Sequence, residues 1–90
     1  MHLYQENKDD LLKRLKKIEG QIRGIHKMIE EDRYCVDILN QLAAVQAALN
    51  KVGLNLLDSH TRGCVANAIK DGDGSKHIDE LMEVIRIFTK

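Results

Sequence analysis

The chain has 90 residues, 43% of them hydrophobic, with one Phe, two Tyr and no Trp. That is the length of one domain, spanning residues 1–90, but amphipathic helices in so short a chain bury little core alone, so oligomerisation is expected to supply the missing burial. Lys plus Arg total 14 and Asp plus Glu total 14, so whole-chain charge neither favours nor excludes nucleic acid, and the distribution of charge has to decide.

Residues 1–7 are polar and are expected to fray. They carry no basic-then-apolar leader, and no apolar run of about 18 residues follows anywhere, so the expectation is a cytoplasmic protein without a membrane partner. In that reducing compartment the two cysteines read as ligands or redox-active thiols rather than a disulfide.

From about Asp9 to Glu31, Leu11, Leu15, Ile18, Ile22, Ile25 and Ile29 recur at helical spacing. The opposite face carries Lys13, Lys16, Lys17, Arg23 and Lys27, with Arg14 on its flank and Gly20 and Gly24 leaving it low and open. Such a face is either a solvated helix surface or a stripe that binds phosphates.

Glu31-Asp32-Arg33-Tyr34 predicts a tight helix–helix turn. Cys35 then opens a second helix, whose N-terminus stabilises negative charge and so suits a thiolate ligand or a reactive thiol. Ile38, Leu42, Val45, Leu49, Val52 and Leu56 mark one helix of about 30 residues, ending at His60-Thr61-Arg62-Gly63-Cys64 or running on to Ile69. Asn50 and Gly53 weaken it without breaking it. Asp71-Gly72-Asp73-Gly74 is a loop and Ser75 an N-cap candidate. A third helix follows on Ile78, Leu81, Met82, Ile85 and Phe88, with Glu80, Val84 and Ile87 as a second edge. The fold class is all-α.

His60 and Cys64, four apart, share a helix face, and both suit a soft or borderline metal. Cys35 is a third donor, but one helix would hold it roughly 37 Å from His60. Either Cys35 is unrelated to the pair, or a second chain lies antiparallel and delivers its own Cys35. Ala43, Ala44, Ala47 and Ala48 would permit close approach at the centre of such a pair, and two-fold symmetry would make two identical sites. Two Cys and one His fall one ligand short of a closed zinc site and suit trigonal Cu(I). His2, His26 and His77 read as surface residues, with His2 able to add a nitrogen ligand from the N-terminus. A Cys–His catalytic dyad lacks an orienting third group and a chain long enough for a substrate cleft, so no enzyme is expected. A membrane-surface role for the first helix lacks Trp or Phe.

Over essentially its full length the chain resembles the CsoR/RcnR/FrmR group of small bacterial repressors. The matching stretches are Arg14-Leu15-Lys16-Lys17-Ile18-Glu19-Gly20-Gln21-Ile22-Arg23-Gly24, then Tyr34-Cys35, then His60 and Cys64 with Asp71-Gly72 after them. The resemblance implies a three-helix protomer, an antiparallel helical-bundle dimer and a dimer of dimers without a helix-turn-helix. For the copper branch it implies Cu(I) held by Cys35, His60 and Cys64 across two protomers, with Tyr34 and Glu80 around the ligands. It implies operator DNA contacts at Arg14, Lys17 and Arg23; Lys16 lies on the same face. The function expected is a repressor that binds double-stranded operator DNA in the apo form and releases it on Cu(I) binding. The alternatives are a nickel or cobalt sensor using His2, and a persulfide or electrophile sensor on the same scaffold.

Overall fold

The computed structural model describes residues 7–72 and 74–89, and for Cys64 and Val65 the backbone alone. All regular structure among the described residues is helical. The chain forms two compact units, one on Glu6–Asn55 and the other on Leu56–Lys90.

The first unit is a helical hairpin. Helix α1 spans Lys8–Glu30, within a residue of the span expected at each end, with Asp9 and Asp10 in its first turn and Lys27 in its last, each complementing the helix dipole. It ends in a Schellman turn. The Asp32 amide donates to the Ile29 carbonyl and the Arg33 amide to the Met28 carbonyl, with Asp32 left-handed at φ 54°. Tyr34 then caps helix α2, Cys35–Ser59, its carbonyl accepting from the amides of Asp37 and Ile38.

Packing divides the apolar stripes. Leu11, Ile18 and Ile25 of α1 are buried, each seven residues after the last, as are Val45 and Val52 of α2. Leu15, Ile22 and Ile29 stay exposed, as do Leu42 and Leu49. A two-helix seam covers only the narrower heptad face, so the rest of each stripe is apolar surface that the hairpin leaves bare.

The second unit departs from the expected single α-helix. Residues His60–Val65 are π-helical, and α-helix resumes as α3, Ala66–Lys70. The segment reads HTRGCV, with Thr61, Gly63 and Val65 all poor α-helix formers, so little local preference resists the wider turn. Gly72, at φ 93°, ends α3 in a conformation that favours glycine. Helix α4 spans Gly74–Phe88, so Ser75 lies inside its first turn and is not the N-cap. The helix starts two residues earlier than a cap at Ser75 would give, and its Gly74 lies against Ile69, an approach that leaves no room for a side chain. Both α3 and the π-helical segment pack on α4.

Candidate metal centre and nucleic-acid interface

Cys35 is the first residue of α2 and its thiol is exposed. Tyr34 beside it is 68% exposed, its ring free of the hairpin core. At 25 residues, α2 is about 37 Å long. His60, half-buried, is the first residue of the π-helical segment that directly follows α2. Cys64 belongs to the same segment, four residues on. π-helical turns inside α-helices occur frequently at functional sites, and this one spans two of the three predicted ligands.

Glu80 is exposed on α4, the helix against which the π-helical segment packs. Among the described residues no hydrogen bond joins it to His60, and no three of His, Cys, Asp and Glu converge. Arg62 Nε donates to Asp58 Oδ1 at 2.8 Å, and that bond raises the Arg62 pKa. Both partners are well exposed, so the pair contributes little to stability. His26 Nδ1 lies 3.0 Å from Glu30 Oε1 on the outer face of α1, a surface pair as its isolation in sequence suggests. His2 lies outside the described residues.

The basic face is on α1. Lys16, Lys17 and Arg23 are exposed, and Arg14 is half-buried, with its Nε donating to Asp10 Oδ2 at 2.9 Å. A Cβ on Gly24 would meet nothing within 4 Å, and one on Gly20 only the Arg23 guanidinium at 3.8 Å, so this face stays open. Arg14, Lys17, Ile18 and Gln21 of α1 and Ala48 and Lys51 of α2 line a cleft of about 130 Å³.

Lys51 is the cation that sequence reasoning missed. Folding the chain back between Asp32 and Arg33 sets Arg14 opposite Lys51 and Lys17 opposite Ala48. Lys51 is also the lone Lys or Arg between Arg33 and Arg62. Hairpin register together with that isolation would have found it.

The hairpin presents three cations at its cleft, and the π-helical segment that follows α2 carries His60 and Cys64. Residues 7–87 match the family of metal-sensitive transcriptional repressors, and the chain belongs to that family. It is 56% identical over 89 residues to the copper-sensing transcriptional repressor CsoR of Bacillus subtilis, covering 99% of this chain and 88% of that one. It is 54% identical over 71 residues to the copper-sensing repressor RicR of Mycobacterium tuberculosis, covering 79% of this chain and 74% of the relative. Among solved structures, it superposes on Cu(I)-bound CsoR from Geobacillus thermodenitrificans with a TM-score of 0.91 at 50% identity, over 100% of this chain and 93% of that one. It also superposes on the nickel-responsive regulator InrS, with a TM-score of 0.76 at 39% identity, over 89% of this chain and 90% of that one.

Proposed function

We propose that the protein is a cytoplasmic Cu(I)-responsive repressor, not an enzyme, that binds double-stranded operator DNA in its apo form and releases it on Cu(I) binding. The observation that carries this reading is the 56% identity to a copper-sensing repressor in a chain offering two thiols and an imidazole. The ligands are Cys35, His60 and Cys64. Thiolate and imidazole donors suit Cu(I), and three of them suit its trigonal geometry.

The site is shared between two protomers. A helix about 37 Å long cannot bring donors at both its ends to one ion whose ligand bonds are about 2.0–2.3 Å. An antiparallel homodimer lets Cys35 of one chain meet His60 and Cys64 of the other, and pairing of dimers makes a homotetramer. The apolar halves of α1 and α2 left bare by the hairpin support this assembly. The two units of each chain work as one regulatory domain.

Bound Cu(I) supplies a single centre that donors from two chains must meet. His60 would present one ring nitrogen to the ion, and Glu80 would accept from the other, fixing the tautomer. Tyr34, beside Cys35, would lie next to the ligand set. Because the π-helical segment runs directly into α3 and packs on α4, a new position for His60 would be passed to both helices. If the liganded arrangement fits DNA less well, metal and DNA oppose each other by linkage. Arg14, Lys16, Lys17 and Arg23, joined by Lys51, take the DNA backbone.

Likeness to InrS favours one second reading, a nickel sensor that adds His2 as a ligand. A persulfide or electrophile sensor would use the exposed Cys35, but His60 would then have no part in the chemistry. Anaerobic titration of the apo protein on labelled DNA with Cu(I), Ni(II) and a persulfide donor separates the three. DNA release by Cu(I) alone, at one equivalent per protomer, is the expected result; release by Ni(II) or persulfide instead would overturn the copper assignment.

A further inference from the structure

One cation of the basic face is already held by an acid. Arg14 Nε donates to Asp10 Oδ2 at 2.9 Å. Among the described residues, Lys13, Lys16, Lys17, Arg23, Lys27 and Lys51 form no ion pair. An acid on a surface that takes phosphates repels them, so Asp10 weakens such a surface unless it does something else there. Complementing the helix dipole is not enough. Asp9 lies in the same first turn of α1 and serves the dipole without pairing with any cation among the described residues.

The geometry of the pair is specific. Asp10 engages Nε, and Arg14 makes no other hydrogen bond among the described residues, so both terminal nitrogens stay free. Those nitrogens form the end of the guanidinium fork, which grips two oxygens of one phosphate. Arg14 is half-buried and lines the cleft with Lys17 and Lys51. A long arginine side chain otherwise samples many rotamers, and losing that freedom on binding costs affinity. A carboxylate at i−4, one helical turn back, fixes the stem before a ligand arrives.

We propose that Asp10 is a positioning residue for the DNA contact: its carboxylate holds Nε of Arg14 and so presents the terminal nitrogens of the guanidinium to a backbone phosphate. The inference rests on the DNA-binding reading above. It adds an acid that touches no DNA and acts only through the arginine.

The experiment uses the full-length apo protein and a labelled duplex selected from a random pool by wild type. Asp9→Ala, Asp10→Ala, Asp10→Asn, Arg14→Ala and the double variant Asp10→Ala with Arg14→Ala are compared, with melting temperature and oligomeric state recorded for each. Asparagine removes the charge but still accepts from Arg14 Nε, so the two Asp10 variants together isolate the hydrogen bond. Asp10→Ala is expected to lose about threefold or more in DNA affinity, the scale of one exposed charge pair. Asp10→Asn should bind at or above wild-type affinity, because it keeps the bond and relieves repulsion. Asp9→Ala, which costs the helix dipole the same charge, should not share the loss. In the Arg14→Ala background, removing Asp10 should weaken binding no further, since both residues act through one contact.

An Asp10→Ala variant that binds DNA as tightly as wild type, or more tightly, would overturn the positioning role and mark the acid as a competitor of phosphate. An Asp10→Asn variant as weak as Asp10→Ala would overturn it too, as would an equal loss in Asp9→Ala or a full further loss without Arg14. If Arg14→Ala itself keeps wild-type affinity, the DNA reading of this face falls and the proposal with it. If Arg14→Ala loses binding and Asp10→Ala does not, the proposal alone fails.

Discussion

Gly74 lies so close to Ile69 that a Cβ on it would come within 2.7 Å of Ile69 Cγ1 and 3.1 Å of Ile69 Cα. The second of these atoms is backbone and cannot swing away. Gly74→Ala is therefore expected to destabilise the packing of α3 on α4 by about 1–3 kcal/mol, the usual cost of overpacking. Hydrogen exchange should show faster opening in residues 66–88, with protection of α1 retained. Equal exchange in both segments would mean that Ile69 yields freely.

Asp32 occupies the left-handed position of the Schellman turn, which glycine fills at no steric cost. Asp32→Gly is expected to raise stability by up to about 1 kcal/mol, the side-chain strain removed being partly offset by extra freedom in the unfolded chain. The midpoint of chemical denaturation measures this. A lower midpoint would indicate that the Asp32 carboxylate makes a local contact worth more than the strain.

Lys17 is exposed on the basic face and also lines the cleft. Lys17→Ala should weaken operator binding and make its salt dependence shallower, leaving Cu(I) affinity nearly intact. Wild-type DNA affinity would remove α1 from the interface.

Glu80 is exposed on α4 and is proposed to hold the outer ring nitrogen of His60. Glu80→Ala is expected to keep most of the Cu(I) affinity while weakening the effect of Cu(I) on DNA, because the link from the imidazole to α4 is lost. Comparing DNA affinity with and without Cu(I) in the variant measures that coupling. Wild-type coupling would leave Glu80 a solvated surface acid.

The shared site predicts complementation between two defective chains. Cys35→Ala and the double variant His60→Ala with Cys64→Ala should each lack a three-ligand site. Exchanged through mild denaturation, they can form a heterodimer in which the intact Cys35 of one meets the intact His60 and Cys64 of the other. That heterodimer should bind about one Cu(I) tightly where wild type binds two, as symmetry dictates. An isolated heterodimer that recovers no tight binding would refute the antiparallel arrangement.

The sequence by itself determined what depends on near neighbours along the chain. The 3.6-residue period located α1 to within a residue at each end, placed Cys35 at the head of α2 and put the turn at Glu31–Tyr34, because backbone hydrogen bonding and apolar periodicity are local. Residue chemistry likewise named the candidate donors and the basic face. Tertiary structure alone decided how each apolar stripe divides. Leu11, Ile18 and Ile25 are buried while Leu15, Ile22 and Ile29 are exposed, although all six have the same character and only the direction of the opposing helix separates them. It also decided the π-helical turn at His60, the closeness of Gly74 to Ile69 and the presence of Lys51 beside Arg14 and Lys17. The place of Lys51 depends on residues distant in sequence arriving together, and the approach of Gly74 to Ile69 on the path of the turn between them; helical periodicity carries no record of either.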